Sequence, residues 1–274
     1  MGAPAPPRDT VRHVAFPDLV ILLAGVAAGA INSIAGGGTL ISFPALLWIG
    51  RDPVTANATN TVAIWPGSLA GAYGFRRELA TVRGWLLMLI VPSLAGGALG
   101  SWLLLRTPVS TFERLVPWLI LAATLLLAAQ EMITKNLSGA QRKTEAPGAT
   151  GDPSHSLGMN FFIFIFQFIV GTYGGYFGAG MGILMLAALG LIGLTDLHQM
   201  NGLKNVLAVC INGVAAIYFI AANAVVWRDV LIMTVGTILG GLLGARVARR
   251  LGRKFVRAFV VGIGIVMTVV LLLK

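Results

Sequence analysis

Polar side chains occur inside apolar stretches at two places that could bind a small ligand. The first group flanks a run of three glycines and comprises Asn32, Ser33, Gly36, Gly37, Gly38, Thr39, Asn57, Asn60 and Thr61. The second group follows the same order and comprises Gly178, Gly180, Asn201, Lys204, Asn205 and Asn212. Because residues three and four apart share a helical face, Asn57, Asn60 and Thr61 would lie on one side of a helix, and the second group repeats this spacing. Amides, hydroxyls and one ammonium predict a substrate-binding site for an anion.

Lys204 has the most specific chemistry in these groups. It lies eight residues after Asp196 and is followed by the apolar run 206–211. A lysine at the centre of a membrane helix costs roughly 2.5–3.5 kcal/mol to insert, so it usually has a function or a partner. We interpret Lys204 as a cation that faces the substrate. The alternative is a lysine near a helix start that extends to the surface or pairs with Asp196.

Catalytic and metal chemistry have no comparable pattern in the sequence. The histidines His13, His155 and His198 are scattered, and Cys210 is the only cysteine. A nucleophile with its base, or a metal cluster, needs several such residues together, so we predict no enzyme and no cofactor. No Asp or Glu falls in the middle of an apolar segment, where a cation pathway or a carboxylate proton relay would need one.

The composition indicates a membrane environment. Hydrophobic residues make up 57% of the 274 residues and charged residues 11%, and the mean hydropathy is +0.85. A soluble domain would carry about 25% charged residues. The net charge of +10 comes mostly from Lys and Arg between apolar segments, where they orient the chain and contact anionic lipid. The sequence therefore predicts a polytopic membrane protein that contacts a lipid bilayer and no nucleic acid.

Ten apolar segments cover most of the chain, at residues 17–35, 39–50, 54–75, 82–105, 111–133, 157–178, 181–193, 196–220, 229–250 and 254–273. The stretch between the fifth and sixth is rich in Gly, Pro, Ser and charge, and this composition is typical of a flexible linker. We therefore divide the chain into an N-terminal tail (1–16), a first transmembrane repeat (17–133), a cytoplasmic linker (134–156) and a second transmembrane repeat (157–274).

The two halves share a pattern of matching residues. The run 96–100 matches 240–244 at an offset of 144, which also places Asn57 on Asn201. Gly29 matches Gly171 at an offset of 142. Each match is weak alone, but their shared order predicts an internal duplication. The small-residue pairs Gly25/Gly29 and Gly240/Gly244 are interpreted separately, as places where helices cross closely.

The second segment of each half is too short to cross a membrane. Twelve residues at 39–50 give about 18 Å of helix, against a hydrocarbon core of about 30 Å. The glycines before it, and those at 178 and 180, would break the helix, so each half begins with a helical hairpin whose tip lies within the membrane. Close helix crossing is the alternative explanation for these glycines. Three further full transmembrane helices follow in each half, which gives an all-α fold of two five-segment repeats.

Charge predicts how the repeats are oriented. If each hairpin returns to its own side, twelve Lys and Arg lie on one face and seven on the other, with Lys204 set aside. If each broken pair makes one crossing, the split is ten against nine. The positive-inside rule favours the first case, in which the repeats are inverted, both termini lie outside and the linker is cytoplasmic.

Inverted repeats of this kind predict where an anion would bind. Their half-helix N-termini, here at Thr39 and Met181, point N–H groups and a positive dipole end toward the midplane. Because the cell interior is negative, export of an anion is favourable by about 2.3 kcal/mol per charge per 100 mV. A transporter that moves small anions outward is therefore expected.

Two runs of sequence resemble a known family. GAINSIAGGGTLISFPALLWIG (29–50), followed by ANATNT (56–61), resembles the first-repeat signature of the TauE/SafE sulfite-exporter-like family, and GTYGGYFGAGMGILMLAALGLIG followed by MNGLKNVLAVCIN resembles its second repeat. The resemblance implies a bacterial inner-membrane transporter that exports sulfite, sulfoacetate or related organosulfonates. Thr39, where a fourth Gly is common, and Val62, where some relatives have Lys, depart from the family pattern. An anion channel-like pore and a non-transporting membrane scaffold are the alternatives, and the coupling ion and a homo-oligomer are left open.

Overall fold

The computed structural model describes residues 8–34, 37–74, 79–143, 157–191, 194, 196–251 and 253–273. This part of the chain contains ten helices of ten residues or more and no strand, so the predicted all-α class is confirmed. The helices are α1 (Arg8–Ile34), α2 (Thr39–Trp48), α3 (Pro53–Gly74), α4 (Arg83–Arg106), α5 (Val109–Lys143), α6 (Leu157–Tyr176), α7 (Met181–Leu191), α8 (Leu197–Ala221), α9 (Trp227–Leu251) and α10 (Arg253–Leu272).

Each predicted apolar segment corresponds to one helix, and two boundaries differ by about ten residues. Helix α1 begins at Arg8 within the predicted N-terminal tail, directly after the prolines at 4, 6 and 7. Helix α5 continues to Lys143, ten residues into the stretch predicted as a linker. The stretch 134–143 has no proline and several good helix formers, which allows the helix to extend.

Five helices in the described part are long and apolar enough to cross a membrane. They are α4, the Val109–Gln130 part of α5, Gly158–Tyr176 of α6, Gln199–Ala221 of α8 and Phe255–Leu272 of α10. Helices α3 and α9 have 22 and 25 residues, but α3 carries a polar cluster and α9 ends in an arginine-rich turn. Large apolar side chains such as Trp48 and Leu242, about 70% exposed, lie on the outer surface, as lipid contact requires. The chain is a multi-pass membrane protein.

Helices α1 and α2 form a hairpin. The rings of Phe16 and Trp48, near the start of the apolar part of α1 and at the end of α2, lie 6.1 Å apart and edge to face. Between them the chain reverses at Gly37, whose φ of +100° is in the left-handed region that favours glycine. Gly178 and Gly180 have φ values of +77° and +78° between α6 and α7. The predicted breaks before α2 and α7 are therefore confirmed.

Helices of one half pack mainly against helices of the other. Helix α1 packs along α9 and α4 along α6, while α3 contacts α8. A Cβ at Gly240 would overlap the carbonyl oxygen of Val26, and a Cβ at Gly96 would overlap that of Phe168. Glycine therefore lets these backbones touch, as predicted for the small-residue pairs.

Candidate functional site

The turn between α6 and α7, at residues 176–180, is held by a side chain that sequence reasoning did not select. Tyr173 donates its hydroxyl to the carbonyl oxygen of Ala179 at 2.6 Å. Its own carbonyl oxygen accepts hydrogen bonds from the N–H groups of Phe177 and Gly178 at 2.9 and 3.1 Å. Tyr173 therefore fastens both ends of the turn. In the sequence it stands among apolar and aromatic residues, where a tyrosine is usually read as packing.

The turn before α2 is held by an amide instead. Asn32, predicted to bind substrate, accepts a hydrogen bond from the N–H of Gly38 at 2.8 Å. The N–H groups of Leu40 and Ile41 donate to the carbonyl oxygens of Gly37 and Gly38, both at 2.9 Å. The first amides of α2 thus already have partners in the turn, which lowers their capacity to hold an anion. Of the predicted residues here, Gly36 and the side chain of Ser33 lie outside the described residues.

Asn60 and Ser42 connect α3 to the start of α2. The hydroxyl of Ser42 donates to Asn60 Oδ1 at 2.5 Å and lies 3.2 Å from the carbonyl oxygen of Gly38. Both side chains are buried, as is Thr39. The hydroxyl of Thr61 donates to the carbonyl oxygen of Asn57 one turn back in its own helix, at 2.9 Å. Asn60 therefore contacts the start of α2. Both Asn60 and Thr61, which the sequence predicts to bind substrate, form hydrogen bonds within the protein.

Asn57 links α3 to the other turn. It is fully buried, and its Nδ2 donates to the carbonyl oxygen of Tyr176 at 3.0 Å. Its Oδ1 has no hydrogen-bond partner among the residues that the structure describes. Asn212, which is 7% exposed, approaches the same turn, since its Oδ1 lies 4.0 Å from a Cβ placed on Gly178.

Lys204 lies against the first turn of α7. A Cβ placed on Gly182 would be 3.3 Å from Lys204 Cδ, so the lysine stem covers that glycine. Its Nζ donates to Asn201 Oδ1 at 3.1 Å, as the shared helical face predicts. The nearby Asn205 is half-buried. The ammonium group is therefore positioned by Asn201 beside the N-terminal end of a half-helix.

The contacts define two clusters. The first-tip cluster is Asn32, Ser42 and Asn60 around Gly38, and the second-tip cluster is Asn57, Asn212 and Lys204 around residues 176–182.

Both tips rest on the same helix. A Cβ at Gly37 would lie 3.5 Å from Leu127 of α5, and one at Gly180 would lie 3.4 Å from Ala123, one turn or about 6 Å away along that helix. The rings of Phe43 in α2 and Phe177 in the second turn also touch, with centroids 5.3 Å apart. The two turns are therefore neighbours, and buried apolar side chains of the core lie between them.

Two ion pairs lie at the end of the first hairpin opposite its tip, and the sequence did not indicate either. Arg51 makes two hydrogen bonds to the buried Asp229 at the start of α9, Nε to Oδ2 at 2.7 Å and Nη2 to Oδ1 at 3.1 Å. This hydrogen bonding raises the pKa of the Arg51 guanidinium. Arg228 pairs with Asp18 of α1 at 2.6 Å. Both pairs therefore tie the hairpin to one end of α9.

Among the described residues, no three His, Cys, Asp or Glu side chains come together as a possible metal site.

Known membrane proteins are similar to the chain over most of its length. A family model described as "Sulfite exporter TauE/SafE" matches residues 21–271. The chain is 29% identical over 222 residues to a "Probable membrane transporter protein" of Haemophilus influenzae, covering 81% of each chain. It is 28% identical to "Probable membrane transporter protein YfcA" of Escherichia coli K12, covering 81% of this chain and 77% of the relative. It is also 28% identical to "Probable membrane transporter protein ORF9" of Sinorhizobium sp, covering 84% and 83%. No solved structure matches the chain.

Proposed function

We propose, because the chain belongs to the sulfite exporter TauE/SafE family, that it is a secondary transporter that exports small anions. The substrates are sulfite or organosulfonates such as sulfoacetate, and they bind between the two halves at the second-tip cluster.

The position of Lys204 carries this proposal. Its ammonium group is held by Asn201, and its stem lies on Gly182 in the first turn of α7. The N-terminal end of a helix carries a partial positive charge, and the lysine adds a full one. Lysines within membrane helices often mark the pathway of a substrate or ion. The combination supports a site for negative charge.

The contacts between the halves support inverted repeats. Gly96 touches Phe168, and Gly240 touches Val26; the residues of these pairs correspond at the offsets of 144 and 142 found in the sequence. Each half therefore uses its fourth helix to hold the first helix of the other half. Such reciprocal packing of the fourth helix of each half on the first helix of the other is expected where a two-fold axis relates two similar units.

The charge distribution supports a bacterial inner-membrane location with both termini outside. The twelve-to-seven split of Lys and Arg requires that each hairpin returns to its own side, and the contact between Phe16 and Trp48 agrees with such a return for the first hairpin. The arginine-rich end of α9 then lies on the cytoplasmic side.

A binding experiment tests the proposal. The purified protein is heated with sulfite, sulfoacetate, sulfate or chloride, and the melting temperature is recorded. A ligand that binds only the folded state raises Tm by an amount that grows with its concentration. We expect sulfite or sulfoacetate to raise Tm for the wild type and not for Lys204→Met, which keeps the length of the side chain without its charge.

Arg83→Gln is the matched control, since Arg83 is an exposed basic residue at the start of α4. It should respond as the wild type does. No shift of the wild type by any sulfur oxyanion would reject the proposed substrate class. Anion currents that grow without saturation would favour the channel-like pore, and binding without flux would favour the scaffold.

A further inference from the structure

The side-chain oxygen Oδ1 of Asn57 is the part of the second-tip cluster that a site for negative charge does not explain. Within the described part of the chain, Oδ1 is fully buried and accepts no hydrogen bond. A buried acceptor without a donor is costly, and it is costlier in a membrane because bulk water does not reach it. An anion alone would be repelled by this oxygen.

The orientation of this amide is set by its neighbour. Nδ2 donates to the carbonyl oxygen of Tyr176 at 3.0 Å. Turning the amide by 180° would place Oδ1 against that carbonyl, so that two acceptors would face each other. Oδ1 therefore stays an acceptor beside the turn at residues 176–180.

The broken helix offers opposite charges on the two sides of this turn. Helix α6 ends at Tyr176, and its carbonyl end carries a partial negative charge next to Asn57. Helix α7 begins at Met181, and its positive end lies beside Lys204. The unpaired acceptor of Asn57 thus lies on the α6 side of the turn, and Lys204 lies on the α7 side. An anion that also carries an O–H or N–H group satisfies both.

We propose that the ligand of the second-tip cluster is a monoanion with its own hydrogen-bond donor, and that Asn57 Oδ1 accepts this hydrogen bond and selects the ligand. The inference rests on the proposed function, because it assumes that the anion binds beside Lys204. The donor is the hydroxyl of a protonated oxyanion or hydroxysulfonate, or the ammonium of an aminosulfonate. Of the proposed substrates, protonated sulfite meets this requirement, whereas sulfoacetate, a dianion without a donor at neutral pH, should bind more weakly. A site built to pair a buried polar group rejects analogues that leave it unpaired.

Matched sulfonates test this selection with isothermal titration of the purified full chain. 2-Hydroxyethanesulfonate and ethanesulfonate have the same charge and differ by one hydroxyl. We expect the hydroxylated ligand to bind at least about tenfold more tightly, which corresponds to about 1.4 kcal/mol. 2-Methoxyethanesulfonate, which has an oxygen but no donor, should bind like ethanesulfonate. 2-Aminoethanesulfonate shows whether an ammonium serves as well as a hydroxyl.

The variant Asn57→Ala should bind 2-hydroxyethanesulfonate and ethanesulfonate equally, and its ethanesulfonate affinity shows whether the site is intact. Thr268→Val, which removes a buried hydroxyl bonded within α10, should keep the tenfold preference. If Asn57→Ala does not fold, Asn57→Leu restores most of the lost volume. The comparison of ligands on the wild type stands without either variant.

The outcomes distinguish a failure of donor selection by Asn57 from a failure of the proposed anion site. If the wild type binds all the sulfonates equally, donor selection is wrong while the anion site stands. If Asn57→Ala keeps the preference, another group accepts the hydrogen bond and the assignment to Asn57 is wrong. If the wild type binds none of these sulfonates and no sulfite, the proposed function itself fails.

Discussion

Trp65 donates its indole N–H to the carbonyl oxygen of Val209 at 3.0 Å, and the two residues are separated by 144 positions, the offset that relates the halves of the sequence. Equivalent residues can touch only near the axis that relates their units. A further hydrogen bond runs from the N–H of Val226, in the turn after α8, to the hydroxyl of Thr59, so the contacts move backwards from Val226 to Val209 as they move forwards from Thr59 to Trp65. This reversed order is what an axis perpendicular to the two segments, and hence the proposed inverted arrangement of the repeats, would produce.

Neighbouring glycines in α9 should respond oppositely to the same substitution. Gly240→Ala places a Cβ on the carbonyl oxygen of Val26, whereas no described atom lies within 4 Å of a Cβ at Gly241. We expect Gly240→Ala to destabilise the protein by about 1–3 kcal/mol, because α1 and α9 must separate. Gly241→Ala should be neutral or stabilising by up to about 1 kcal/mol. Thermal unfolding in detergent measures both, and equal effects would contradict the close crossing of α1 and α9.

Removing one hydroxyl should loosen the second turn. Tyr173→Phe takes away the only donor that the described structure gives to the carbonyl oxygen of Ala179, and leaving a buried acceptor unpaired costs about 1–3 kcal/mol. The melting temperature and the affinity for sulfite should both fall. Tyr218→Phe, on the exposed side of α8, should change neither. A Tyr173→Phe protein with unchanged affinity would show that the turn does not shape the site.

Ser42 and Asn60 should be energetically coupled. Their hydrogen bond joins α2 to α3 within the buried first-tip cluster. A double-mutant cycle of Ser42→Ala and Asn60→Leu should give a coupling of about 0.6 kcal/mol, and up to about 1.7, as for other hydrogen bonds between membrane helices. The free energy of unfolding is measured by thermal unfolding for the wild type, the two single variants and the double variant. Additive effects would mean that the two side chains do not interact.

The two ion pairs at the hairpin end should differ in strength. Asp229 has a side-chain exposure of 1% and holds Arg51 with two hydrogen bonds, whereas the Arg228 and Asp18 side chains are 54% and 31% exposed. Arg51→Ala should cost about 1.5–3 kcal/mol because it leaves a buried carboxylate without its partner. Arg228→Ala should cost less than about 1 kcal/mol and lose its effect at high salt. The reverse order would contradict the burial of Asp229.

The sequence predicts the helices and the breaks well because hydrophobic runs and glycines act locally. The positions of α2 and α7 follow from glycines that the chain needs at φ values of +100°, +77° and +78°. The partners of polar residues depend on contacts that the local sequence does not show, so the sequence predicts Asn32 and Asn60 as ligands but not the hydrogen bond that each accepts within the protein. Arg51 and Asp229 are 178 residues apart, and no local pattern joins them.

Counterflow in proteoliposomes tests whether the protein transports sulfite through an anion site at Lys204. Vesicles that contain the purified protein and unlabelled sulfite are diluted into labelled sulfite, and uptake is followed over time. We expect saturable uptake that depends on the internal sulfite. We also expect Lys204→Met to lower kcat/KM about tenfold to a hundredfold, because a charged hydrogen bond is lost, while Arg83→Gln should not. Uptake that does not saturate, or a Lys204→Met protein that transports as the wild type does, would contradict an anion site at Lys204.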